Sequence, residues 1–184
     1  DRLAADLAEV LTRPYPRRVN ANVPWQLPRP ASLFTGRDSD RAWLAESLSP
    51  GRVVSLTGPA GIGKSALAAS VLAALDGAGE LATRFPAGVV SVRMDPSGGV
   101  DAACGAIADA FDVELHLSPR DAARRALAGR RALIVVEDAE SVPASQVDDL
   151  LDVLGASGAL VVSRRRTDAG DDTRHLAPLD DADA

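Results

Sequence analysis

Lysine is almost absent from this chain: Lys64 is the only one among 20 basic residues, and the other 19 are arginine. Cysteine is as scarce. The single Cys104 can form no internal disulfide and supplies no thiolate cluster for a metal, which fits a reducing, cytoplasmic setting. Aromatic residues make up 3% of the chain, so the core must be built from Ala, Val, Leu and Ile; Trp25 and Trp43 read as packing residues. The two histidines, His116 and His175, lack metal-ligand spacing and read as structural or solvated. No apolar run approaches the roughly 20 residues of a membrane-spanning helix, and no secretory leader is visible. No basic face suited to a nucleic-acid backbone is evident either. The formal charge is −6, and residues 167–184 hold six Asp against one Arg, leaving only −1 on the preceding 166 residues.

What is present suffices for one domain, since 184 residues with 46% hydrophobic content can bury a substantial core. The chain opens on Asp1 rather than Met and stops in an acidic tail, which reads as a piece of a longer, multidomain protein. Leu3, Leu7, Val10 and Leu11 have helical spacing. Five of the twelve prolines follow between Arg13 and Pro30, predicting an extended segment with no regular element of its own. Residues 1–33 are therefore read as a short helix plus linker, and residues 34–184 as the domain.

The most specific stretch is Arg52-Val-Val-Ser-Leu-Thr-Gly58-Pro-Ala-Gly61-Ile-Gly63-Lys64-Ser65. It matches G-x-x-x-x-G-K-S/T, with an apolar run entering the glycines and helix-spaced Leu67, Val71, Leu72 and Leu75 leaving them. Phosphate oxygens must approach the backbone N–H groups closely, and Gly58, Gly61 and Gly63 remove the side chains that would obstruct them. The phosphates then lie at a helix N-terminus, which favours negative charge. Lys64 supplies a compact ammonium and Ser65 a hydroxyl for Mg²⁺. A forked guanidinium cannot replace that ammonium, and this one lysine survives in a chain otherwise emptied of the residue.

Around this loop the chain alternates. A helix is predicted from about Asp38 to Leu48, and strands at Val53–Leu56, Val89–Met94, Ala132–Val136, Ala159–Val162 and His175–Leu179. Helical spacing appears at Ala103, Ile107, Ala110 and Phe111, again from Ser118 to Ala128, and at Val147, Leu150, Leu151 and Leu154. Alternating strands and helices imply βαβ units and a parallel sheet with ligands at the carboxyl ends of the strands. Three strands deliver polar groups to that edge: the phosphate loop, Glu137-Asp138, and Ser163-Arg164. A nucleoside triphosphate site needs such a set, with one acid for Mg²⁺, one to orient water, and an Arg to sense or stabilise the γ-phosphate.

In this order the motifs resemble the nucleotide-binding domain of the STAND class of signalling P-loop ATPases, specifically the NB-ARC type, with motifs similar to those of actinobacterial regulators. Phe34-Thr35-Gly36-Arg37-Asp38 looks like its aromatic-h-Gly-Arg-acid element, which lies beside adenine. Phe85 to Val92 resembles its second-strand motif, Arg130 to Asp138 its Walker B strand, Val162-Ser163-Arg164 its sensor strand, and His175 to Leu179 its closing segment. The resemblance spans roughly residues 22–182. It implies a P-loop NTPase three-layer αβα sandwich with a five-stranded parallel sheet in order 2-3-1-4-5.

It also implies an ATP/ADP site formed by Phe34, Thr35, Gly36, Arg37, Gly58, Gly61, Ile62, Gly63, Lys64, Ser65 and Ala66. Ser65 and Glu137 would hold Mg²⁺, and Asp138 and Arg164 would serve catalysis. The family usually has Asp where this chain has Glu137, one methylene longer, and Asp138 could take the metal in a shifted register. The implied function is a regulatory switch: slow Mg²⁺-dependent hydrolysis coupled to conformational change and self-association, with effector and sensor domains in the same longer chain. Two alternatives remain at this level, a P-loop small-molecule kinase and a nucleotide-independent interaction module with a degenerate site. An ordinary GTPase is excluded, because its guanine-reading Asn/Thr-Lys-x-Asp element needs a second lysine.

Overall fold

A computed structural model describes residues 23–30, 36–114, 118–165 and 170–178. Among these described residues five strands form one sheet: β1 (Val53–Thr57), β2 (Val89–Arg93), β3 (Leu133–Glu137), β4 (Gly158–Ser163) and β5 (Asp172–His175). The helices are α1 (Asp38–Ser47), α2 (Lys64–Gly77), α3 (Glu80–Arg84), α4 (Gly99–Ala110), α5 (Pro119–Leu127) and α6 (Ala144–Leu151), with a 3₁₀ turn at Ala139–Ser141. Every pairing in the sheet is parallel.

The strands alternate their apolar residues between two cores, which makes three layers. Leu133 and Val135 of β3 and Leu160 and Val162 of β4 join the core under α1, α2 and α3. Ile134 and Val136, with Ala159 and Val161, join the core under α4, α5 and α6, where Cys104 is also buried. Such near-continuous apolar runs suit strands covered on both faces. The start of α5 agrees with the sequence: the Ser118 hydroxyl accepts the Asp121 N–H, and Pro119 takes the first helical position. Short α3 was not legible from sequence. Its Arg84 donates to the carbonyls of Ala45 and Leu48, satisfying the end of α1, which has no basic residue of its own there.

Two expectations are corrected. The sheet order is β2-β3-β4-β1-β5, so β1 and β4 exchange places relative to 2-3-1-4-5. Periodicity cannot separate the two orders, because either buries both strands. The single short crossover through α6 favours β3 and β4 as neighbours, and they pair from Leu133↔Gly158 to Val136↔Val161. The last strand also begins earlier than His175. Asp171 accepts the Val53 N–H at 2.8 Å through its carboxylate, and Asp172 pairs with Arg52, which registers the polar run Asp172–His175 on the edge of β1. Leu176 donates one more bond to Thr57, and Pro178, with no N–H to donate, follows.

The proline-rich segment is extended where it is described. It docks on the free edge of β2: Gln26 N–H donates to the Val89 carbonyl and Val89 N–H to that of Pro24. Trp25 bridges to Val89, and its indole donates to Asp76 at 3.0 Å. At Gly88 a Cβ would lie 2.1 Å from the Pro24 carbonyl oxygen, so the close approach of this segment requires glycine.

Candidate nucleotide site

Either strand order sets β1 beside β4; the observed one puts β4 rather than β1 next to β3 and gives β1 the β5 edge. Thr57, the last residue of β1, is in register with Ser163, the last of β4. The phosphate loop therefore leaves the sheet directly beside Ser163-Arg164. Gly58, Gly61 and Gly63 have φ of +147°, +75° and +97°, conformations that L side chains rarely adopt. A Cβ on Gly58 would also lie 2.9 Å from the Leu176 carbonyl oxygen.

Lys64 opens α2 and is buried, with its Nζ donating to the carbonyls of Gly58 and Pro59, each at 2.8 Å. Burial lowers its pKa, Glu140 opposes the shift, Arg164 adds to it, and Asp138 again opposes. An ammonium drawn out of water and hydrogen-bonded here to neutral carbonyls, at the mouth of a 14-residue helix, fits a polyanion well. Ser65 is exposed, while Ile62 and Ala66 are half-buried.

At the end of β3, Asp138 takes a left-handed conformation (φ +53°), turning the chain from strand into the 3₁₀ turn. Arg93, the last residue of β2, stands in register with Glu137. It reaches both acids, with NH2 3.3 Å from Glu137 Oε2 and Nε 3.3 Å from Asp138 Oδ2. Arg164 lies at the end of β4 and pairs with Glu140. No group of three or more His, Cys, Asp or Glu among the described residues could hold a metal alone. A cation at Ser65 and Glu137 would complete its shell with phosphate and water oxygens, which is how Mg²⁺ is usually bound.

Gly36 (φ +73°) and Arg37 (φ +59°) form a left-handed turn into α1. The buried Arg37 guanidinium donates to the Ile62 carbonyl at 3.1 Å, the Ala177 carbonyl at 2.8 Å and Asp40 at 3.2 Å. It thereby ties the start of α1 to the phosphate loop and to the segment leaving β5. Asp40 also accepts from Arg174, whose guanidinium lies over the Trp43 ring. Phe34 and Thr35 lie outside the described residues, as does His116.

Sequence reasoning missed four of these groups: Arg93, Glu140, Asp40 and Arg174. Glu140 was the most findable, since it follows Glu137-Asp138 by two residues in one acidic motif. The others are brought in by pairing across the fold.

A family model described as an AAA domain matches residues 47–163. This chain belongs to that family. The AAA domain is thus of the P-loop ATPase type, and its match runs from the end of α1 through β4, including the phosphate loop and the turn that carries Glu137, Asp138 and Glu140. No curated protein sequence matches the chain. Among solved structures, it is similar to a signal transduction ATPase with numerous domains (STAND) protein with a tetratricopeptide repeat sensor from Pyrococcus horikoshii. That match has a TM-score of 0.52 and 16% identity, over 89% of this chain and 26% of the other. The AAA domain thus spans about a quarter of that protein, and the likeness is one of fold. A second similarity, to the HORMA:CdnC:Trip13 complex of Escherichia coli, has 12% identity, covers 78% of this chain and 61% of that one, and at a TM-score of 0.45 is too distant to bear on the fold. Among the described residues no helix is long and apolar enough to cross a membrane.

Proposed function

We propose that this AAA domain is an ATP/ADP-binding switch of the NB-ARC or STAND kind within a longer regulatory chain. The observation that carries the reading is the buried Lys64 ammonium resting on the Gly58 and Pro59 carbonyls at the sheet edge where Asp138 and Arg164 also stand. ATP supplies the γ-phosphoryl group, and Mg²⁺ would be held by Ser65 and Glu137. The rest is done by the chain's own groups. Lys64 leaves the two carbonyls for phosphate oxygens, and the loop N–H groups share the charge. Asp138 orients a water by accepting its proton, and Arg164 meets the terminal phosphate. Gly36 and the backbone at Arg37 border the base, while the Arg37 guanidinium links the loop to the chain beyond β5.

That linkage favours a switch over a kinase, because it gives the phosphate loop a route to whatever follows Ala177. Self-association in the ATP state and neighbouring effector and sensor domains belong to the same proposal. The test is phosphate release together with sedimentation velocity. Slow release requiring Mg²⁺, with a larger species under a non-hydrolysable ATP analogue than under ADP, supports the reading. Rapid release that depends on an added small acceptor would favour the kinase, and identical sedimentation in both nucleotides would remove the switch.

A further inference from the structure

Glu140 is the acid that neither the phosphate-loop motif nor the Glu137-Asp138 pair accounts for. Its side chain is only 13% exposed, against 62% for its partner Arg164. Both carboxylate oxygens are used on that one residue: Oε2 accepts the Arg164 backbone N–H at 3.0 Å, and Oε1 meets Arg164 Nε at 2.9 Å. Ser163, buried at the end of β4, accepts the next N–H, that of Arg165, through its hydroxyl at 3.2 Å. The backbone around Arg164 is therefore held on both sides. Glu140 can reach it because the left-handed Asp138 turns the chain back at once, with Ser141 N–H closing on the Asp138 carbonyl at 2.9 Å.

An arginine at a strand end has several rotatable bonds and costs entropy to fix in place. A bidentate carboxylate that seizes both the main chain and Nε removes most of that freedom before any ligand arrives. Nε is also the guanidinium nitrogen nearest the stem, so the terminal NH1 and NH2 atoms lie beyond the contact, at the tip of the side chain.

The geometry points to Glu140 as the positioning residue for Arg164, setting where its guanidinium meets the terminal phosphate and thereby the discrimination of ATP from ADP. This rests on the nucleotide reading above. Glu140 itself touches no nucleotide in this role; it acts through Arg164. Its proximity to the phosphate loop, where it leads the charges that favour the Lys64 ammonium, places the pair at the right edge of the sheet.

The experiment is a titration of the full chain with ADP and with a non-hydrolysable ATP analogue, in wild type, Glu140→Ala, Arg164→Ala and the double variant. Loss of one charge-assisted hydrogen bond to the terminal phosphate weakens the ATP analogue about tenfold or more. Each single variant should show that loss with ADP affinity kept within about twofold, and the double variant should be no worse than either alone, as expected of two residues acting as one unit. Retained ADP binding demonstrates an intact site, which a merely structural role for Glu140 would not preserve selectively. Should Glu140→Ala fail to fold, Glu140→Gln, which keeps an acceptor oxygen and loses the charge, carries the same comparison. Equal losses for ADP and ATP analogue, or additive effects in the double variant, would overturn the assignment. Wild type binding neither nucleotide would instead sink the nucleotide reading itself.

Discussion

Replacing Arg37 with Ala should destabilise the protein far more than removal of a surface arginine. The guanidinium is buried and holds Asp40 at 3.2 Å, the Ile62 carbonyl at 3.1 Å and the Ala177 carbonyl at 2.8 Å. Removing one partner from a buried, hydrogen-bonded charge pair costs about 3–5 kcal/mol. Two features place this case at the lower end. Asp40 keeps Arg174 as a partner at 2.8 Å, and Ala177 is exposed, so its carbonyl can be rehydrated. We expect about 3 kcal/mol, which for a chain of this size lowers Tm by roughly 6–12 °C. Alanine does not relieve the left-handed backbone at this position (φ +59°), so no compensating gain arises. Arg37→Lys should fall between, because an ammonium lacks the planar fork that reaches separated acceptors. Guanidinium denaturation followed by circular dichroism gives the difference directly. A loss below about 1 kcal/mol for Arg37→Ala, within the range of an exposed ion pair, would refute the clasp.

Lys64→Met should abolish binding, and in the nucleotide-free chain its effect on stability should change with pH. The sign follows from the lowered pKa of Lys64, caused chiefly by burial. Unfolded chain then binds that proton more tightly than folded chain, so the penalty is fully present below the folded pKa and fades as pH rises toward 10.5. Thermal melts across that range should show wild type gaining on the variant, and a parallel pair of curves would contradict this. Gly58→Ala should cost about 1–3 kcal/mol from backbone strain, since its Cβ meets the Leu176 carbonyl oxygen at 2.9 Å, whereas Gly61→Ala faces open space and bears only the strain of its positive φ. Equal losses in denaturation for the two would refute the close approach. Cys104, buried and pushed up to about 11, should resist a thiol reagent at pH 8 until the protein unfolds; fast labelling of native protein would place it elsewhere.

The parts of this molecule written in local pattern were legible before the structure. The phosphate loop is a contiguous motif, β3 and β4 are uninterrupted apolar runs, and Ser118-Pro119 begins a helix as its chemistry requires. What escaped was written in pairing. The neighbours of β1 depend on which strand the crossover through α6 returns to, and hydrophobic periodicity is the same for either order. Leu176 drew the last strand too far along the chain, because the register is set by Asp171 and Asp172 on the polar edge and not by apolar spacing. Arg93 is the polar end of an ordinary strand until register sets it against Glu137. Residues 23–30 have a linker's composition, yet three prolines leave enough N–H and C=O groups to join the edge of β2.

In the proposed function, the loop and its lone ammonium are there to hold a polyphosphate. Isothermal titration of ADP into the full chain, side by side with Lys64→Ala, tests that most directly. The expected result is a saturable, one-to-one exothermic isotherm for wild type and none for the variant. Heat indistinguishable from dilution for both, or equal affinity in the two, would contradict it.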